Sequence, residues 1–143
     1  MNEDQINRLP PDVKKQFLKY ALKLSEKKTK TKVHDDFMTF VKHVWPEFIE
    51  GRHHKEIAEK FNQIARGEIK RLIINMPPRH TKSEFASFLL PSWMVGRKPN
   101  LKIIQTTHTT ELAIRFGRKA KTLMDSQEYK QVFSTRLRED SQA

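Results

Sequence analysis

The sequence predicts an α/β protein, with N-terminal helices followed by the start of a parallel sheet in the order strand–helix–strand–helix. Three observations predict it. Residues 71–76, Arg-Leu-Ile-Ile-Asn-Met, form a short apolar run rich in Ile and closed by Pro77 and Pro78, the pattern of a buried strand. Phe85, Phe88, Leu89 and Trp93 then recur at helical spacing. Residues 101–106 are a second apolar run, and the stretch between the two runs has the length of a right-handed βαβ crossover.

The chain divides on this reading into a helical lead-in, 1–69, and the first part of the sheet-bearing core, 70–143. Pro10-Pro11-Asp12 opens a helix to about Lys27, with Val13, Phe17, Ala21 and Leu24 on one face and lysines over most of the other. Such a helix docks on the body or a partner; a membrane-surface role is the alternative. Residues 27–32, Lys-Lys-Thr-Lys-Thr-Lys, hold no apolar residue and read as a basic linker. Asp36 is placed to cap a second helix carrying Phe37, Phe40, Val41 and Val44, which Trp45-Pro46 ends, because the residue before proline leaves the α region. Gly51 marks a turn. A third helix from about His53 to Arg66 buries Ile57, Phe61 and Ile64, and Gly67 stops it.

After the first apolar run the sequence is Pro77-Pro-Arg-His-Thr-Lys-Ser-Glu84. A strand, a loop ending in Lys-Ser and then a helix is the context of a phosphate-binding loop, because a helix start presents unpaired N–H groups to an anion. Lys82 is the candidate for the β/γ-phosphates and the Ser83 hydroxyl for Mg²⁺. Met76 and Thr81 stand where the usual pattern has its two glycines, so the loop is deviant, and a β-branched Thr81 resists positive φ. The same residues also fit a plain Pro-Pro turn before an amphipathic helix. In that helix Pro91 is expected to kink or end the backbone and Gly96 to close it. After the second run, Thr109 or Thr110 caps a last helix with Leu112, Phe116, Ala120 and Leu123 as its buried stripe. Arg115, Arg118, Lys119 and Lys121 lie mostly off that stripe, a face suited to a phosphate backbone or to solvent.

The loop resembles the Pro-Pro-Arg-His-x-Lys-[Ser/Thr] loop of the large terminase subunits of tailed bacteriophages, the motors that pump DNA into empty capsids. Trp45-Pro-Glu-Phe48, His53-His54, Gly67, Pro91-Ser-Trp93, Pro99, the Ile103-Ile104 run and Glu128-Tyr129 to Phe133 extend the likeness over roughly residues 35 to 140. The resemblance implies ATP and Mg²⁺ as cofactors, bound by Pro77, Pro78, Arg79, His80, Thr81, Lys82 and Ser83. It implies a charge-stabilising role for Arg79 during phosphoryl transfer. It places Phe48, His53 and His54 over the adenine, although adjacent histidines on a helix point about 100° apart, which argues against a shared metal. It implies double-stranded DNA, a portal, a small terminase subunit and an oligomeric ring as partners, at the procapsid in the host cytoplasm.

Composition agrees with a polyanionic partner. The 143 residues carry 28 Lys+Arg against 17 Asp+Glu, a net charge of +11, and nucleic acid is the first candidate, a solvated basic surface the second. The absence of Cys excludes disulfides and thiolate metal sites. No apolar run approaches the roughly 20 residues of a membrane span, and the start lacks a secretory pattern. No apolar run ends in the Asp or Glu that an ATPase needs for Mg²⁺, and no carboxylate nuclease cluster follows. The expectation is therefore the N-terminal part of such a subunit, an incomplete domain, inactive alone. In that ATPase class the two strands are separated by later ones, so 71–76 and 101–106 are expected not to pair. A basic DNA-binding module with a vestigial loop and a helicase-like ATPase remain as alternatives.

Overall fold

The computed structural model describes residues 10–137. The chain splits into two compact units at Thr31–Lys32. Helix α1 (Pro11–Asp35) supplies most of the described part of the first, and its last residues belong to the second. Its first turn closes with the Lys14 N–H on the Pro10 carbonyl at 2.9 Å, and Asp12 sits there, where a negative charge suits the helix dipole. Residues 27–32, expected as a linker, are helical. Lysine is a good helix former, no Gly or Pro interrupts the run, and the Thr31 hydroxyl donates to the Lys27 carbonyl at 3.0 Å. A lack of apolar residues removes a reason to pack but not a reason to coil.

In the second unit Asp36 breaks the helix with extended backbone, φ −124° and ψ 122°, and starts α2 (Phe37–Val44). Its carboxylate accepts from the Thr39 N–H and Thr39 Oγ1, both at 2.7 Å, and from Asn62 Nδ2 at 2.8 Å. Asn62 returns a bond by accepting from the Phe37 N–H at 2.9 Å. Burial alone would raise the Asp36 pKa; the bonds from Thr39 and Asn62 and the charge of Lys42 outweigh it, and the net shift is downward. This buried network ties α2 to α3 (Arg52–Arg66). Gly67 ends α3 at φ 82°, with its N–H on the Gln63 and Ile64 carbonyls, as its position predicts.

Phe37 is the centre of the core. The rings of Phe61, Phe85 and Trp93 meet it edge-on at 5.1, 5.4 and 5.4 Å. Phe85 and Trp93 come from one continuous helical stretch, α4 (Lys82–Glu84), a π-turn (Phe85–Leu89) and α5 (Leu90–Arg97). Pro91 was expected to kink or end this helix; it does not end it, since α5 continues to Arg97. The Leu90 N–H bonds to the Phe85 carbonyl, five residues back, so the widened turn directly precedes the proline that lacks an N–H. Gly96, expected to close the segment, is the penultimate residue of α5, which ends at Arg97. Its missing Cβ makes room for Tyr129 and Phe133: a methyl there would sit 2.7 Å from Tyr129 Oη and from Phe133 Cγ.

Thr109 caps α6 (Thr110–Asp125), accepting from the Leu112 N–H at 3.3 Å. A further helix, α7 (Gln127–Val132), is capped by Ser126 and inserts Tyr129 into the core.

The expected parallel sheet does not form. All regular structure among the described residues is helical, and neither 71–76 nor 101–106 belongs to a strand. Side-chain alternation survives in the first run: Leu72, Ile74 and Met76 are half-buried on the helical core, while Ile73 is 86% exposed. A β-strand is defined by ladder bonds to a neighbour, and neither run has one, so the right side-chain period yields only an extended segment. Ile104 in the second run is 92% exposed.

Candidate functional site

Residues 77–81 connect the first extended run to α4. Pro77 and Pro78 supply no N–H and hold φ fixed. Arg79 and Thr81 then take positive φ, 65° and 57°, and no other non-glycine residue among those described does so. Positive φ at Arg79 and Thr81 flanks a His80 that lacks it, the kind of alternation found in backbone nests that bind anions. For β-branched Thr81 the left-handed conformation costs on the order of 1–3 kcal/mol and persists only if its surroundings impose it.

Two contacts hold Thr81. The Thr81 carbonyl accepts from the Phe85 N–H at 3.0 Å, the first bond of the helix. Thr81 Oγ1 lies 2.5 Å from His54 Nε2. The tautomer of His54 follows from its other nitrogen: Nδ1 accepts from the Gly51 N–H at 2.9 Å, so in the neutral ring Nε2 carries the proton and donates to Thr81. His54 is the third residue of α3 and reaches back to the N-cap N–H, the place a Glu or Gln takes in a capping box. Its ring is 6% exposed, set against Phe48 at 4.8 Å and Phe85 at 5.2 Å. Burial, then the neighbouring His53, hold its pKa below the ordinary histidine value.

Lys82 folds back over the loop, donating to the Met76 carbonyl at 3.0 Å and the Pro77 carbonyl at 3.3 Å. Two of its three N–H donors are thus engaged and one remains. His80 Nδ1 donates to the Pro78 carbonyl at 2.9 Å. The backbone N–H groups of His80, Thr81, Lys82 and Ser83 donate to no described residue. Residues 71–83 contain Arg71, Arg79 and Lys82 and no acid. The first carboxylate, Glu84, is held by Lys119 Nζ at 2.8 and 2.7 Å. The result is an acid-free, cationic segment with N–H groups that meet no described acceptor, a donor set that fits a phosphate.

The site residues expected from sequence separate into two groups. Pro77, Pro78, Arg79, His80, Thr81, Lys82 and Ser83 are contiguous in the loop and first turn, with Arg79, His80 and Ser83 exposed. His53 reaches the same region, its ring 5.6 Å from His80 and 3.8 Å from His54. Phe48 and His54 face the protein: Phe48 packs on Trp45 and Phe85, and both nitrogens of His54 are engaged by Gly51 and Thr81. Among the described residues no group of three or more His, Asp and Glu side chains could hold a metal ion. Sequence reasoning missed the link from His54 to Thr81, which spans 27 positions. A Gly-x-x-His pattern at the helix start hints at the reach-back to Gly51 but not at Thr81. It also missed the Glu84–Lys119 pair.

A surface concavity of about 1090 Å³ runs along α6 past Phe88, Leu112 and Arg115 and includes no residue of the loop. No helix among the described residues is long and apolar enough to cross a membrane. No family model, curated protein or solved structure matches the chain.

Proposed function

We propose that residues 77–83 bind the triphosphate of ATP, and that the chain is the ATP-binding portion of a DNA-translocating motor of the kind its loop resembles, the terminase large subunit. The observation that carries this reading is the set of unpaired N–H groups at His80, Thr81, Lys82 and Ser83, in an acid-free segment with Lys82 across it. Backbone N–H groups and a mobile ammonium are what a polyphosphate needs, since they offer donors and positive potential without a competing carboxylate. Lys82 serves the β/γ-phosphates and Ser83 the Mg²⁺. Arg79, exposed and in no ion pair among the described residues, is the cation for the transferring phosphoryl group. Double-stranded DNA, a portal and a small terminase subunit come with this reading as partners.

Calorimetric titration of a non-hydrolysable ATP analogue with Mg²⁺ tests it. Binding by the natural chain and its loss in Lys82→Ala supports the reading; equal binding by both, or none by the natural chain, sinks it. A second reading, a basic DNA-binding module, is favoured by the exposed Arg115 and Arg118 on α6. Duplex DNA affinity that falls steeply with salt and ignores both nucleotide and Lys82 would select it.

A further inference from the structure

We infer that His54 is a positioning residue of the loop: its Nε2–H holds Thr81 Oγ1, keeping Thr81 left-handed and the neighbouring N–H groups turned inward before any anion arrives. The inference rests on the triphosphate reading for its consequence, but the contact stands on geometry alone. The loop lacks the glycine that would take positive φ without cost, and Thr81 occupies that position. Something outside the loop must therefore hold the backbone. His54 is fixed on three sides for that purpose, by the Gly51 N–H on Nδ1 and by the rings of Phe48 and Phe85. Gly51 contributes by its size as well, since a Cβ there would lie 2.9 Å from His53 Cε1 and 3.4 Å from His54 Nδ1. The turn before α3 thereby sets the conformation of a loop 27 residues later.

The test is a double-mutant cycle on the full chain, read by affinity for tripolyphosphate and by NMR. His54→Phe keeps the aromatic packing and removes both hydrogen bonds. Thr81→Gly removes the need for a prop. His54→Phe is expected to weaken tripolyphosphate binding roughly three- to tenfold in the natural background, the worth of one hydrogen bond. In the Thr81→Gly background it should do almost nothing. His54→Gln, which can both accept from Gly51 and donate to Thr81, should retain most of the affinity. Equal losses from His54→Phe in both backgrounds would overturn the inference. The ¹⁵N shifts of the His54 ring and the ¹³C shifts of Thr81 read the contact without any ligand. If tripolyphosphate binds no variant but Thr81 leaves the left-handed region in His54→Phe, the triphosphate reading fails and the positioning role stands. If Thr81 stays left-handed in His54→Phe, the positioning role fails whatever binds.

Discussion

The phenol of Tyr129 donates to the carbonyl oxygen of Ser92 across 2.8 Å, with both residues buried, and joins α7 to α5. Burial pushes the Tyr129 pKa up from 10.0 to about 12. A raised pKa stabilises the fold below the unfolded value and loses that contribution as pH rises through the folded one. Stability should therefore decline between about pH 10 and 12. Tyr20 is the other of the two tyrosines, so in a Tyr20→Phe background tyrosinate absorbance reports Tyr129 alone. A midpoint near 10 with the helical signal intact would show that the phenol is not enclosed.

Two glycines in helices should respond to alanine with opposite signs. At Gly96 an added methyl meets Tyr129 Oη and Phe133 Cγ at 2.7 Å, and both rings are locked in the core. Overpacking of that kind costs about 1–3 kcal/mol, which outweighs the ~1 kcal/mol that alanine adds in helix propensity. At Gly117, within α6, nothing lies within 4 Å of the added atom. Gly117→Ala should stabilise by close to that ~1 kcal/mol of propensity. Urea denaturation of both variants measures the pair, and a stabilising Gly96→Ala would contradict the contact.

Gly96 also shows what local sequence can and cannot carry. A glycine that stops a helix and one that admits a neighbouring ring look alike in one dimension, and only the arrival of α7 tells them apart. Caps were legible because their chemistry lies within four residues: Asp36 with Thr39, Thr109 with Leu112, Gly67 with Gln63. The helical positions of Phe37, Phe61, Phe85 and Trp93 were legible from spacing, and these rings make the core. The strands were misread because 71–76 and 101–106 have a strand's composition, while a strand also needs a partner that periodicity cannot supply. Residues 27–32, read as a linker, are helical and contain the boundary between the two units, because an absence of apolar residues is not an absence of helix. In the loop the residue types were legible, but the prop was not, since it comes from the start of another helix.

That prop should be sensitive to acid. His54 is held neutral mainly by burial, with His53 and His80 opposing its charge and Glu50 favouring it. Its folded pKa is lowered, so its contribution is present above the unfolded value of 6.5 and is lost as pH falls from there through the folded value. Protonation also places a proton on Nδ1, which then faces the Gly51 N–H as a second donor. Tripolyphosphate affinity and thermal stability should both fall below about pH 6.5. In His54→Gln the stability decline over that interval should shrink. An unchanged acid profile in that variant would assign the effect to other groups.

The extended segments are the clearest place to challenge the all-helical architecture. Residues 71–76 and 102–106 donate no backbone hydrogen bond to any described residue, whereas the amides of α3 and α5 lie inside helices that pack on the Phe37 core. Hydrogen exchange should be close to the unprotected rate across both segments and strongly retarded in the two helices. Half-burial of Leu72, Ile74 and Met76 does not alter this, because it shields side chains rather than N–H groups. The outward side chains test the same point from the opposite direction. Ile73→Lys and Ile104→Lys remove apolar atoms that are already in water, so each should change stability by less than ~0.5 kcal/mol. Exposed apolar residues on backbone with unpaired donors invite edge-to-edge pairing between chains, and a lysine there opposes it. Both substitutions should thus lower concentration-dependent association in sedimentation velocity with folding unaffected. Strong exchange protection at 73 and 104, with a loss of several kcal/mol on substitution, would mean that these segments are paired within one chain.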